Sequence, residues 1–394
     1  MAGVARIGIE ERRARLGRRH RLAYECAADT PIQVAESLVA LHATDASTVF
    51  LSVRARMRQP TPSALERALY DDKQLVRMLG MRRTMFVVPL ELMPVVSSAC
   101  TQAIAAQERK RTIELLERAG ITDDATRWLD EAESETLAAF TRRDEALAAE
   151  LSREVPRLNE RIRMAQGKAY EGWLSMSTRV LFLLSAEGKL VRGRPRGTWT
   201  SSQHRWARTD TWLPSLPAEV PKQQAQAELL RRWLQSFGPG TLTDLRWWTG
   251  LGAREIQQAL AQLNTCEVDL DGAPGVMLRD DVEPIDQSAA WVALLPALDP
   301  TPMGWASRDW FLGEYGPHLF DRSGNIGPTV WCNGKIIGGW AQRKSGEVVF
   351  KLFEDVGREL VHEVERQASE LANWLGEIRL TPRFRTPLER ELSA

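Results

Sequence analysis

Gln224–Leu278 reads QAQAELLRRWLQSFGPGTLTDLRWWTGLGAREIQQALAQLNTCEVDLDGAPGVML, and this stretch decides the fold. Leu229, Leu230, Trp233 and Leu234 recur at helical spacing, so Ala225–Ser236 is expected to be a helix with one buried face. Phe237-Gly238-Pro239-Gly240 ends it. Thr241–Thr249 follows as a second short helix, capped by Thr241 or Thr243, with at least one of Trp247 and Trp248 in the core. After the turn Gly250-Leu251-Gly252, Ala253–Leu263 places Ile256, Leu260 and Leu263 on one helical face. Glu267–Leu270 and Val276–Leu278 then flank Asp271-Gly272-Ala273-Pro274-Gly275 as a two-stranded ribbon. Helix, helix, turn, helix, hairpin is the winged-helix layout, a helix-turn-helix variant whose last helix can enter a major groove.

Looser versions of this layout precede it. Helices are expected at Pro31–Leu41, Ser47–Met57 and Pro62–Asp71, then strands at Leu75–Met78 and Thr84–Val88. A further version runs through helices Ser134–Phe140, Thr141–Glu150 and Pro156–Met164 to strands Val180–Leu183 and Leu190–Arg192. The copies share layout rather than residues. From Trp291 onward the chain turns to short β-type runs: Val292–Leu295, Thr329–Cys332, Lys335–Trp340, Glu347–Leu352 and Glu377–Leu380, with one helix at Glu354–Leu375. Asn333-Gly334 is a strong hairpin signal. The expected class is α+β: three tandem winged-helix modules (1–110, 111–212, 213–283) and a β-rich, barrel-like module (284–394).

Composition sets outer limits. The chain has 394 residues, 43% hydrophobic and 26% charged, as in ordinary globular proteins. No apolar run is long enough to span a membrane, and the N-terminus lacks the apolar core of a secretory signal, so a cytoplasmic protein without membrane partners is expected. Cys26, Cys100, Cys266 and Cys332 form no Cys-x-x-Cys clip, and the five histidines have no metal spacing. Net charge is zero, but Arg6–Arg21 holds seven arginines against two glutamates, and Lys189–Arg208 holds six basic residues and no acid. Glu354–Glu377 is acidic. A neutral chain can still present a basic face, although such runs are equally often solvated helix surface.

Several blocks together resemble a superfamily of bacterial winged-helix proteins that includes the AlkZ-type and YcaQ-type DNA glycosylases. They are Leu294-Leu295-Pro296-Ala297-Leu298-Asp299-Pro300, Arg308-Asp309-Trp310, Leu319-Phe320-Asp321-Arg322 with Gly324-Asn325, Gly327-Pro328-Thr329-Val330-Trp331 and Gly338-Gly339-Trp340. Upstream, Met81–Pro89, Val191–Gly197 and Ser201-Ser202-Gln203 continue the likeness in the same order. The resemblance implies winged helices around a DNA channel and hydrolysis of the N-glycosidic bond of alkylated purines, including bulky adducts and interstrand crosslinks. In the AlkZ type the signature is Gln-x-Gln, and in the YcaQ type Gln-x-Asp. The matching stretch here is Ala40-Leu41-His42-Ala43-Thr44-Asp45, so His42 and Thr44 stand where the glutamines would.

The chemistry accommodates this change. Alkylation at N7 makes a purine cationic and a good leaving group, so catalysis must stabilise an oxocarbenium-like sugar and place one water. Histidine can hold water and accept its proton near neutral pH. The expected roles are His42 as water-positioning base and Thr44 as its hydrogen-bond partner, with Asp45 orienting His42 or stabilising the sugar. The bland reading has His42 and Asp45 merely capping helices. No lysine lies in the motif, which argues against a Schiff-base route. Arg82, Arg83 and Thr84 are expected to line the same channel, or else to sit on an ordinary strand. Arg192, Arg194 and Arg196, spaced by Gly and Pro, suit a mobile loop on phosphates, followed by Gln203. Arg54, Arg308 and Arg322 complete the expected DNA-binding set. Trp305, Trp310, Phe311 and Tyr315 can probe a groove or pack.

Two functions compete. One is a monofunctional glycosylase for bulky alkylpurines in duplex DNA, acting as a monomer at the nucleoid without metal or organic cofactor and conferring resistance to a genotoxin. The other is a catalytically inert DNA-binding or regulatory relative, for which the His-x-Thr change argues.

Overall fold

The computed structural model describes residues 4–164, 167, 171–213, 215, 217–286 and 289–394. In the deciding stretch, helices Lys222–Phe237, Leu242–Thr249 and Ala253–Leu260 precede a hairpin of Thr265–Leu270 and Ala273–Leu278. A capping box starts the middle helix: Thr241 accepts from the Asp244 amide, and Asp244 accepts from the Thr241 amide. Gly250, at φ +76°, ends it. The turn between the strands shrinks to Asp271-Gly272, both at positive φ, as a tight two-residue turn requires. Pro274 falls on the outer strand of the sheet, whose far side is bridged, among the described residues, only at Val276, by Gly240. The other side of the inner strand pairs in parallel with Ala5–Arg6.

Near the N-terminus, helices Ile9–Arg19, Pro31–Ser37, Ala46–Arg54 and Pro62–Glu66 accompany a three-stranded antiparallel sheet. Its order is Leu41–His42, Thr84–Pro89, Leu75–Gly80. The helix expected to reach Leu41 therefore stops at Ser37, and Leu41–His42 is an edge strand. Sequence periodicity misses this pairing because Leu38–Ala43 is buried throughout, so no alternation of inside and outside marks the strand.

The middle region departs furthest from expectation. Thr141–Glu150 is not one helix: Glu145–Leu147 is a strand and Ala148–Glu154 a helix. Pro156–Met164 is a short 3-10 turn, Pro156–Asn159, followed by strand Arg161–Met164, which pairs with Gly172–Ser175. Val180–Leu183 is not a strand but the centre of helix Met176–Ala186. That helix is buried on nearly all sides, and a short apolar run does not distinguish a buried helix from a buried strand. Leu190–Pro195, His204–Arg208 and Glu145–Leu147 form the sheet here.

The C-terminal region is an open four-stranded antiparallel sheet, not a barrel. Its order is Val292–Leu295, Thr329–Cys332, Lys335–Gln342, Val348–Leu352, and the outer strands do not pair with each other. The expected strand Glu377–Leu380 is irregular; the Leu380 amide donates to the Gln342 side chain instead. Helix Arg358–Leu375 packs across the outer strands. Asn333-Gly334 makes the expected tight turn, both residues at positive φ.

One hydrophobic core joins the N-terminal region, the 222–278 stretch and the C-terminal sheet, while the middle region holds a core of its own from Leu116 to Trp206. A buried polar hub pins the large core. Arg56 donates through both Nη atoms to Asp299 (2.9 and 2.6 Å) and to Thr301 (2.7 Å). Ser52 donates to Asp299, and His20 bridges Thr301 to the Ser236 carbonyl. The conspicuous block Leu294–Pro300 thus supplies a structural anchor through Asp299. The N-terminal arginine run is also partly spent inside: Arg15 and Arg19 pair with Asp281.

Candidate active site at the His42 to Asp45 turn

Strand pairing holds the turn. Leu41 and His42 lie opposite Val87 and Phe86, and the Ala43 amide donates to the Met85 carbonyl (2.8 Å). From the far strand, Arg77 donates to the Ala43 carbonyl (2.9 Å). These bonds leave the backbone of residues 41–43 little freedom. The His42 ring meets Phe86 edge-on at 5.6 Å and is 7% exposed. Its Nδ1 is buried without a hydrogen-bond partner. Burial, reinforced by the nearby Arg82 charge, drives His42 down to about 3, so the imidazole is neutral at physiological pH. The expected proton acceptor poised near neutrality is therefore a weaker base held in place.

Thr44 is half-buried, and its carbonyl accepts from Arg383 (3.4 Å). Asp45 caps helix Ala46–Arg54. Its Oδ1 accepts from the Ser47 amide (3.0 Å) and hydroxyl (2.7 Å), and its Oδ2 from the Arg383 amide (3.1 Å). With both oxygens engaged away from His42, Asp45 follows the capping alternative rather than orienting the imidazole.

Around the turn, several arginines have no ion pair with a carboxylate among the described residues. Arg82, at φ +53° on the tip of the 75–89 hairpin, stacks on Trp247 at 3.9 Å, and burial lowers its pKa. Arg308 reaches the same indole at 4.7 Å; burial, then Arg82, lowers it to about 10. Arg192 lies over Trp206 at 5.0 Å, and burial, then Arg77 and Arg383, brings it to about 10. The Nε atoms of Arg77, Arg82 and Arg192 are buried and unpaired. His204, beside Arg77 and Arg192, is driven down to about 3, chiefly by burial. Stacking on indole partly offsets the cost of holding these cations out of water. The result is a positive surround whose charges can be met by an anion from outside the chain.

The remaining expected residues divide. Arg83 pairs with Glu108 (3.0 Å), and the Thr84 hydroxyl points back to the Arg82 carbonyl (3.5 Å). Arg192 and Arg194 belong to strand Leu190–Pro195 rather than to a loop, and Arg194 is bound to Glu66 and Asp71. Arg196 and Gln203 are exposed on the connecting loop, joined through the Arg196 amide and Gln203 carbonyl (2.8 Å). Arg54 faces away, toward Glu370 and Arg366 of the acidic helix. Arg322 is exposed in a separate loop. Trp305, Trp310 and Phe311 are buried packing residues, as is Trp248. Arg77 and Trp247 were missed as site residues. Arg77 had a signal: a charge in the otherwise apolar Leu75–Leu79 run. Among the described residues, no group of three His, Cys, Asp or Glu side chains is placed to hold a metal ion.

No curated protein sequence matches the chain. Among solved structures, the DNA glycosylase AlkZ of Streptomyces sahachiroi superposes with a TM-score of 0.71 at 20% identity, over 96% of this chain and 99% of that one. At this identity the likeness concerns the fold. A sequence profile described as DNA glycosylase AlkZ-like matches residues 35–374, a span that contains the His42–Asp45 turn, the unpaired arginines and the Asp299 anchor. By that match the chain belongs to the AlkZ-like DNA glycosylase family.

Proposed function

We propose that this protein is a monofunctional DNA glycosylase that hydrolyses the N-glycosidic bond of bulky or crosslinking N7-alkylpurines, chiefly guanine, in duplex DNA. In this reading three winged-helix modules and the C-terminal sheet line a DNA channel. The chain works as a cytoplasmic, nucleoid-associated monomer and protects its host from a genotoxic natural product. One observation carries the reading: a buried, neutral imidazole at the family's motif position, close to half-buried arginines that form no ion pair among the described residues.

The chemistry follows from that setting. The C1′–N9 bond breaks, and its electron pair neutralises the cationic N7-alkylpurine as it leaves. A water oxygen bonds to C1′ and becomes strongly acidic in doing so. A weak base is then sufficient, and the neutral His42 imidazole both positions the water and takes its proton transiently. Thr44 offers a second polar contact to that water or to a phosphate. Arg82, Arg192 and Arg308 hold the DNA backbone against the turn, while the buried Arg77 braces the turn through the Ala43 carbonyl.

The test is release of an N7-alkylguanine from duplex DNA, read as strand cleavage after alkali. His42→Ala is expected to slow single-turnover release about 100-fold while DNA binding persists. Wild-type release by a folded variant removes His42 from catalysis. The engagement of Asp45 in its cap favours a second reading, an inert DNA-binding relative. Binding without abasic sites across several adducts decides for that reading.

A further inference from the structure

A cleft of about 700 Å³ opens between the tip of the 75–89 hairpin and the middle region. Leu174, Phe182 and Trp206 are among its apolar lining, and Arg83, Arg179 and Arg192 contribute polar edges. Two of these cations are already answered: Glu108 accepts from Arg83 (3.0 Å) and Arg179 (3.2 Å). Arg192 and Arg196, at the rim, have no ion pair among the described residues and are left for a phosphate. The apolar part of the lining suits an apolar, planar body with a few hydrogen-bond acceptors, and the volume is that of a drug-sized ligand. The position is also telling. Arg192 and His204, on the cleft wall, lie beside Arg77, which itself donates to the Ala43 carbonyl of the catalytic-motif turn. A purine whose glycosidic bond lies at that turn has the cleft as a neighbour.

We infer that this cleft receives the polycyclic aromatic substituent carried by an alkylated purine, with Phe182 as a specificity-determining contact. The inference rests on the glycosylase reading for the placement of the base, but the binding it requires does not depend on catalysis. Phe182 is half-buried, its ring 5.2 Å from the Arg83 guanidinium, and it lines the cleft. A methyl lesion has nothing to place there.

The test compares two duplexes in binding to the full-length protein. One carries guanine with a pyrenylmethyl group on N7, the other N7-methylguanine, each on a 2′-fluorinated sugar that keeps the base attached. The wild type is expected to bind the pyrenylmethyl duplex about tenfold more tightly, as burial of one aromatic contact provides. Phe182→Ala abolishes that preference and leaves binding of the methyl duplex within about twofold. Phe182→Leu, which keeps the packing against the hairpin, retains part of it and serves if the alanine variant does not fold. Absence of preference in the wild type, a preference that survives in Phe182→Ala, or equal loss on both duplexes in folded Phe182→Leu overturns the inference. Unfluorinated duplexes separate the two readings. Preference without release of either base leaves the cleft standing and defeats the glycosylase. Release of both without preference does the reverse.

Discussion

Arg56 and Arg192 are both arginines withdrawn from water, yet they sit in opposite electrostatic settings. Arg56 meets Asp299 through two hydrogen bonds, both side chains fully buried, with Thr301 and Ser52 completing the set. Arg192 has the face of Trp206, the repulsion of Arg77 and Arg383, and an unpaired Nε. The same residue type thus serves two ends. Paired, it locks the N-terminal region to the C-terminal sheet. Unpaired, it keeps a charge in reserve at some cost to the fold, and such a reserve is useful only where an outside anion arrives.

Breaking the paired region has the largest effect. Asp299→Ala leaves Arg56 buried without its counterion and is expected to cost about 3–5 kcal/mol in chemical denaturation, because a stranded buried charge is far worse than none. A loss under about 1 kcal/mol would dissolve the contrast between the two regions. The regions share their neutral histidines, and this gives an intermediate effect. His20 in the hub, and His42 and His204 near the turn, are all driven down to about 3, in each case mainly by burial. Well above pH 6.5 neither folded nor unfolded chain protonates them, so they add no pH dependence there. As pH falls from 6.5 toward 3 the unfolded chain takes up the protons first, and stability declines. By pH 5.5 each histidine is expected to cost about 1 kcal/mol, measured by melts between pH 8 and 5. A flat profile over that range contradicts their burial as neutral groups. The unpaired region gives the smallest change in stability. Arg192→Gln is expected to leave it within about 0.5 kcal/mol, while the dependence of log K for duplex DNA on log salt flattens by about one. An unchanged slope means that Arg192 meets no phosphate, and a large loss of stability means that it is structural after all.

The residues that carry the family likeness need not be those of the candidate site. Asp299, in the block that best carries the family likeness, is wholly buried in the hub. His42, in the turn expected to carry the chemistry, lies near the Arg82 charge.

Much was legible in the residues alone. The 222–278 stretch announced its elements because each signal acts within a few residues: a 3.6-residue apolar period, the Thr241 cap, Gly250 as a stop and Asp271-Gly272 as a turn. Asn333-Gly334 did the same for the C-terminal hairpin. What only the tertiary structure decided depends on distant partners. Leu41–His42 became a strand because Phe86 and Val87 offered an edge. Val180–Leu183 became helix because the middle core surrounded it. Asp45 spends its carboxylate on Ser47 and Arg383, and so does not orient His42. The charge on an arginine is written in the sequence. Whether that charge is answered is settled only when the chain brings, or fails to bring, a carboxylate to meet it.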